Sequence, residues 1–499
     1  MKIASAQRST LFTLGVLICL SCLPLLVAYR YPAFLNDDAY ITLTYVKNLV
    51  NGNGFVFNHP PAVLGTTTPL FTLVVAGLAL LLPGVEIATL AVFLSALSWL
   101  GTTWVFYLFR KQWALRNWEV CALSAVLISS GWVVFLGMEF HPFELLLVLS
   151  VSLFLSERYE LSGLTGGALF LTRGEGALVF VLLLIVAIAR DRTKKGRFDA
   201  DSLRNPLKLT LGFGLPILAW AIYAQLTFGS FLPGTLAAKQ AQALTGFWRT
   251  FPQRLTGEWL TSWGSGLSLQ SLKVINIWWI VVIIGLLDSL VRKRKWLIFV
   301  GWIGLYIAGY SLLSVAAYGW YQLPILFVLN LFFGLGVVRI VELLIERVRP
   351  RGVAIGASLV LSLSLVIGLA RPTLEAISTF KGDARGESYL ALSQWFREHA
   401  NPGESIAYIE IGYLGYFTQN RIIDLAGLTL PDLPPHIAKG DFAWGFWRYR
   451  PDYYVYRAEF DWALASVMSD PRFGQEYLPV AAVPGPKGVD LVIYHRTGN

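Results

Sequence analysis

The chain has 499 residues, of which 55% are hydrophobic and only 14% charged, against the roughly 25% charge of a soluble domain. That deficit, gathered into long apolar runs, excludes a purely soluble globule and points to a polytopic membrane protein. The net charge of +9 sits in short loops between those runs, which sets orientation in a bilayer and gives no basis for a nucleic-acid partner.

Lys2 and Arg8 precede an apolar run at 10–28. It is longer than the roughly 7–15 residues of a signal-peptide core. It also exits through Tyr29-Arg30-Tyr31-Pro32, so it reads as an uncleaved anchor. Hydropathy predicts eleven crossings, at 11–29, 86–109, 119–136, 140–156, 163–173, 176–190, 207–227, 274–291, 296–316, 321–341 and 352–370. The pair 163–173 and 176–190 is short for two spans. Its Gly163, Gly166, Gly167, Gly174 and Gly176 suggest a broken hairpin buried among other helices. The stretch 69–82 is apolar but short, and is placed as a helix at the interface. Lys and Arg crowd the loops at 190–204, 292–295 and 347–351. The positive-inside rule then sets the N-terminus in the cytoplasm and two long loops outside, 30–85 and 228–273. Trp248, Trp259 and Trp263 in the second loop read as interfacial aromatics. Cys19, Cys22 and Cys121 all lie in apolar segments and imply no disulfide framework.

The membrane domain therefore covers 1–370, and 371–499 reads as a soluble α/β domain outside the membrane. A helix at 387–400 stops at Asn401-Pro402-Gly403. Strand-like runs follow at 405–409, 421–424, 453–457, 477–483 and 489–495.

Residues able to do chemistry gather in the outside loops. Asp37 and Asp38 open a helix-like run, 38–50, that ends in Asn51-Gly52-Asn53-Gly54. Helix capping and general-base catalysis both fit two such carboxylates, although Asn36 is already available as the cap. Beside low-dielectric lipid each raises the other's pKa. Ile41, Tyr45, Val46, Leu49 and Val50 form a stripe that a helix lying on the membrane explains. Arg173 and Glu175 either brace the hairpin, or leave Arg173 to grip a lipid phosphate. Glu139 and His141, in a tight turn, suit a hydroxyl, a metal or a structural role. Lys239 is a phosphate partner by charge. Trp320 and Tyr321 either stack on a sugar or anchor a helix. Glu410 to Gly415 and Asp424 to Leu428 either shape an acceptor groove or form turns. No phosphate-loop, dinucleotide-binding, zinc or serine-triad motif occurs.

Together these pieces resemble the GT-C superfamily of membrane glycosyltransferases, which use polyprenyl-phosphate sugars. Asp37-Asp38-Ala39-Tyr40-Ile41-Thr42, Asn51 to Asn58 and Thr66-Thr67-Thr68-Pro69-Leu70 look most like the arabinan-terminating arabinofuranosyltransferases and related bacterial proteins. Thr172-Arg173-Gly174-Glu175 is similar to a Thr-Arg-Pro-Glu motif, and Leu232-Pro233-Gly234-Thr235 with Lys239 to a Leu-Pro-Asn-Thr segment followed by Lys. The resemblance implies a polytopic α-helical membrane protein with a C-terminal extracytoplasmic α/β domain, in the bacterial inner membrane. It implies inverting transfer, with Asp37 as base and Asp38 orienting the acceptor. Arg173 and Lys239 are the expected donor-phosphate ligands. Tyr40, Glu139, His141, Glu175, Trp320 and Tyr321 are the expected substrate contacts. A divalent metal, if used, would sit on Asp38, Glu139 or His141. The partners implied are a polyprenyl-phosphate-linked sugar, membrane lipid and an extracytoplasmic glycan, glycolipid or protein acceptor. A lipid-sugar flippase or transporter fits the same span count and charged hairpin, although no internal repeat supports it.

Overall fold

The computed structural model describes residues 2–30, 34–58, 62–130, 135–195, 203–263, 276–379 and 383–497. Arg197 of the expected basic loop and the end of the 228–273 loop lie outside the described residues. The first part of the chain is helical: α1 (Lys2–Arg30), α2 (Asp37–Val50), α3 (Pro69–Leu81), α4 (Ile87–Leu108), α5 (Asn117–Ser129), α6 (Phe140–Leu155), α7 (Tyr159–Thr172) and α8 (Gly176–Lys195). Then come α9 (Arg204–Phe228), α10 (Thr235–Leu244), α11 (Phe251–Arg254), α12 (Leu260–Ser262), α13 (Ile277–Val291), α14 (Leu297–Leu313), α15 (Leu323–Arg347) and α16 (Arg351–Thr379).

Among the described residues six helices are long and apolar enough to span a bilayer, α1, α4, α9, α14, α15 and α16; α3, α5, α6, α8 and α13 are shorter apolar helices. Each run expected to cross coincides with one of these or with α7. The outer helices bare apolar faces. Leu211, Leu215, Leu218 and Ile222 on α9 are exposed, as are Leu359, Val360, Leu363 and Ile367 on α16. Faces of that kind suit contact with lipid tails. α15 is the reverse, buried almost continuously from Leu323 to Val338.

Small residues let the bundle close. A Cβ on Gly163 would stand 2.1 Å from the Leu209 carbonyl oxygen, and one on Gly212 would stand 2.3 Å from that of Glu160. α7 and α9 thus meet backbone to backbone, the close approach that glycine permits between membrane helices. At one end of the bundle, Arg116, Arg292, Lys293 and Arg339 pair with Glu119, Asp288 and Glu342.

The C-terminal part begins with α17 (Gly386–His399) and carries a five-stranded sheet, β1 (Ser405–Tyr408), β2 (Arg421–Asp424), β3 (Tyr453–Tyr456), β4 (Tyr477–Val483) and β5 (Leu491–Arg496), in the order β2-β1-β3-β5-β4. β2, β1 and β3 are parallel, with Ile406 opposite Ile422; β5 is antiparallel to β3 and β4. The short helix α18 (Gly412–Phe417) follows β1. Both sheet edges are blunted. Asn58 receives the Ile422 N–H and donates to its carbonyl, and β4 carries Pro479 beside a bulge.

Two expectations are corrected. α2 does not lie on the membrane. Ala39, Tyr40, Ile41, Leu43, Thr44, Tyr45 and Val46 are all buried, because the apolar stripe packs toward the bundle and the opposite face toward α18. Tyr40, Tyr45 and Phe71 share one hydrophobic core with Tyr413, Ile422 and Tyr454 of the sheet region. Trp259 and Trp263 are not interfacial anchors either. Both are buried in the bundle core, and the Trp263 indole donates to Gln322 at 2.7 Å.

Gly163→Leu is expected to lower the thermal midpoint of the detergent-purified protein by the equivalent of at least about 1–3 kcal/mol, the usual cost of overpacking. Gly15→Leu, where nothing lies within 4 Å of an added Cβ, should leave it unchanged. Tryptophan fluorescence on heating reads both.

Candidate active site

The start of α2 separates the two carboxylates. Asn36 caps the helix, its side-chain oxygen accepting the Asp38 N–H at 3.1 Å. The aspartates are therefore not needed as caps of their own helix. Asp37 turns toward the C-terminal part. Its Oδ2 accepts the Gly412 N–H at 3.1 Å and its Oδ1 the Tyr413 N–H at 3.0 Å. Asp38 turns the other way, into a cavity of about 470 Å³. Burial and the neighbouring Asp37 charge push its carboxyl up to about 7, against the pull of Lys239 and Arg385. Burial also raises Asp37, opposed by Arg385 and the two backbone N–H groups.

The same cavity is lined by Glu139, Arg173, Glu175, Lys239, Trp320 and Tyr321, so most of the residues singled out from sequence converge. Arg173 is buried between two carboxylates, with Nη1 2.6 Å from Glu139 and Nη2 2.7 Å from Glu175. Its Nε also donates to Glu175, and Tyr310 donates to the same Glu175 oxygen at 2.8 Å. The planar fork is thus engaged on both sides. Lys239, one turn into α10, has no carboxylate within ion-pairing distance among the described residues. Its ammonium lies 5.7 Å and 5.2 Å from the ring centroids of Tyr318 and Tyr321, a cation–π setting that stabilises the charge without neutralising it. Tyr318 and Trp320 stack at 4.9 Å.

Three expected residues fall elsewhere. Asp37 is absent from the cavity wall, because both its oxygens serve the Gly412–Tyr413 backbone. Tyr40 is fully buried with its ring 4.5 Å from that of Tyr413 and 5.0 Å from that of Tyr416, so it packs the two parts of the chain together rather than meeting a substrate. His141 faces a separate small pocket with Asn330 and Thr102, stacked on Trp99 with Nδ1 2.9 Å from Glu144. The metal set of Asp38, Glu139 and His141 is therefore not assembled. No group of three or more His, Cys, Asp or Glu able to hold a metal occurs among the described residues.

Further residues complete the wall, among them Leu428 of the segment expected as an acceptor groove or a turn. Thr42, Thr66 and Thr68 form a hydroxyl ledge, with Oγ1 of Thr66 3.5 Å from that of Thr42 and 3.1 Å from that of Thr68. The run Thr66-Thr67-Thr68-Pro69 was its only signal. Leu428 reaches the wall from the C-terminal part. Asp424 makes that possible by accepting N–H groups from Ala426 at 2.9 Å and Thr429 at 2.8 Å, closing a turn in which Gly427 takes a φ of +80°. Tyr310 had no signal, being one aromatic in an apolar helix.

Residues 378–494 match a family described as a domain of unknown function, DUF8728. No curated protein matches the chain. Among solved structures, it is similar to ArnT from Cupriavidus metallidurans in the apo state, with a TM-score of 0.58 and 13% identity over 98% of each chain. It is also similar to the archaeal oligosaccharyltransferase AglB from Archaeoglobus fulgidus, in complex with an inhibitory peptide and a dolichol-phosphate. There the TM-score is 0.55 at 11% identity, covering 96% of this chain and 74% of that one. Likeness at such identities is one of fold. The architecture shared with them is a polytopic helical membrane bundle with a C-terminal sheet domain.

Arg173→Ala leaves Glu139 and Glu175 buried without a cation and is expected to destabilise the protein by about 3–5 kcal/mol. Adding Glu175→Gln should recover part of that loss. Thermal unfolding in detergent measures it. Wild-type stability in Arg173→Ala would mean that the guanidinium braces nothing.

Proposed function

We propose that this GT-C-like protein is an inverting glycosyltransferase. It moves a sugar from a polyprenyl-phosphate donor to a hydroxyl of an extracytoplasmic glycan, glycolipid or protein. The observation that carries this reading is one cavity in which, among the described residues, Asp38 and Lys239 have no ion-pair partner while Glu139, Arg173 and Glu175 pair with one another. Phe231 and Leu232, exposed beside Lys239, supply an apolar margin for an isoprenoid chain. The solved AglB complex holds a dolichol-phosphate on a similar fold.

In this mechanism Asp38 accepts the proton of the acceptor hydroxyl. The acceptor oxygen then bonds to the anomeric carbon from the face opposite the phosphate. The bond from that carbon to the phosphate oxygen breaks, and its electron pair leaves with polyprenyl phosphate, inverting the configuration. Lys239 faces the developing phosphate charge. The base role expected for Asp37 moves to Asp38, because Asp37 is committed to two backbone donors. Arg173 likewise serves as a brace, and its two carboxylates fix the floor of the site. No step needs a nucleotide.

Orientation follows from α14. It starts beside the basic turn at 292–295 and ends with Tyr310 and Leu313 in the cavity wall. With the positive-inside rule this supports a cavity and sheet domain facing away from the cytoplasm, and a bacterial inner membrane is the location we propose. The resemblance of the Asp37–Thr42 segment makes arabinofuranose the first sugar to test.

The test uses purified protein in liposomes with polyprenyl-phosphate arabinofuranose, mannose, glucose and galactose, and cell extract as acceptor. One donor should release polyprenyl phosphate, and Asp38→Asn should slow release about 10²–10⁴-fold. Labelled donor crossing sealed vesicles without cleavage would support a flippase instead. A second expectation concerns pH. The base must be ionised and its pKa is about 7, so kcat/KM should fall tenfold per unit below about pH 7 and level off above it. A profile flat down to pH 5 would exclude Asp38 as the base.

A further inference from the structure

We propose that the C-terminal domain positions the catalytic base, with the backbone of Gly412 and Tyr413 acting on Asp38 through Asp37. The inference rests on the reading of Asp38 as base and adds a role for the domain that matches DUF8728.

The chain entering α2 is held almost residue by residue. The Phe34 carbonyl accepts the Asp383 N–H at 2.9 Å, and the Leu35 carbonyl accepts the Tyr413 hydroxyl at 2.8 Å. The Asp37 carboxylate accepts the two N–H groups of Gly412 and Tyr413. All these donors belong to the C-terminal domain. The contact leaves no slack, since a Cβ on Gly412 would stand 1.8 Å from the Asp37 carbonyl oxygen. Behind it Arg385 pairs with Asp383 and Glu410. One peptide bond separates this clamp from Asp38, so a displaced domain displaces the base. Rates fall steeply when a reacting group moves by about 1 Å.

The clamp also sets the charge around the base. Asp37, Lys239, Arg385 and Glu139 all act on Asp38, and Asp38 in turn acts on Tyr318. Asp37 and Arg385 belong to the clamp, whereas Lys239 and Glu139 belong to the cavity wall.

The experiment compares full-length Gly412→Ala, Asp37→Asn and Asn58→Ala in liposomes with the donor that wild type cleaves. Asn58 docks β2 by two hydrogen bonds but does not touch the start of α2. Gly412→Ala should lower kcat about 100-fold with the donor KM unchanged. Asp37→Asn, which keeps one acceptor for the two N–H groups, should move the pH midpoint of kcat/KM down by about one unit or more, because the neighbouring negative charge is gone. Asn58→Ala should keep both kcat and midpoint. Thermal midpoints of all three monitor folding. If Asp37→Asn keeps the wild-type midpoint, or kcat falls only in step with thermal stability across the three variants, the domain is a structural prop and the proposal is overturned. A wild type that cleaves no donor would instead sink the glycosyltransferase reading on which it stands.

Discussion

Asp37 accepts an N–H from Gly412, 375 residues further along the chain, and a second from Tyr413. A carboxylate withdrawn from water is costly unless donors replace the lost hydration. Asn36 frees Asp37 for this by capping α2 itself. Tyr40 then presses on Tyr413 and Tyr416, Lys47 donates to the Tyr416 carbonyl at 2.6 Å, and Asn58 seals β2. The first long loop and the C-terminal sheet share a core as a result. The cavity wall inherits that continuity, drawing Asp38 from one and Leu428 from the other.

The charges of the site divide by whether they are spent. Arg173 with Glu139 and Glu175 is a saturated unit, buried and cross-linked through Tyr310. Such a unit resists rearrangement, because freeing one member strands the others in low dielectric. Asp38 and Lys239 are the unsaturated remainder. Tyrosine rings shelter Lys239 without sharing its charge, and burial leaves Asp38 able to gain or lose a proton near neutrality.

Much of the fold was legible because it follows local periodicity. The expected strands at 421–424 and 477–483 coincide with β2 and β4, and the helix expected at 387–400 is α17. Apolar runs marked the apolar helices for the same reason. What failed depended on partners remote in sequence. The stripe on α2 is the same whether it meets lipid or protein, so Ile41 and Tyr45 could not report that the opposite face is covered as well. Trp259 and Trp263 carry the composition of an interface but fill a core. Asp37 and Asp38 are chemically identical, and the Gly412 and Tyr413 N–H groups tell them apart. His141 belongs to a motif two residues from Glu139, yet the first turn of α6 carries it to a different pocket. Gly163 and Gly167, expected as part of a broken hairpin, lie within α7, where they let α9 approach closely.

The treatment of the sheet edges limits how the molecule meets other chains. β2 has its outward Ile422 groups taken by Asn58 and its Asp424 carbonyl taken by the Gly427 N–H. β4 offers Pro479 and a bulge. Both devices discourage an extended peptide from joining the sheet by strand addition. They favour recognition at this end through side chains and loops.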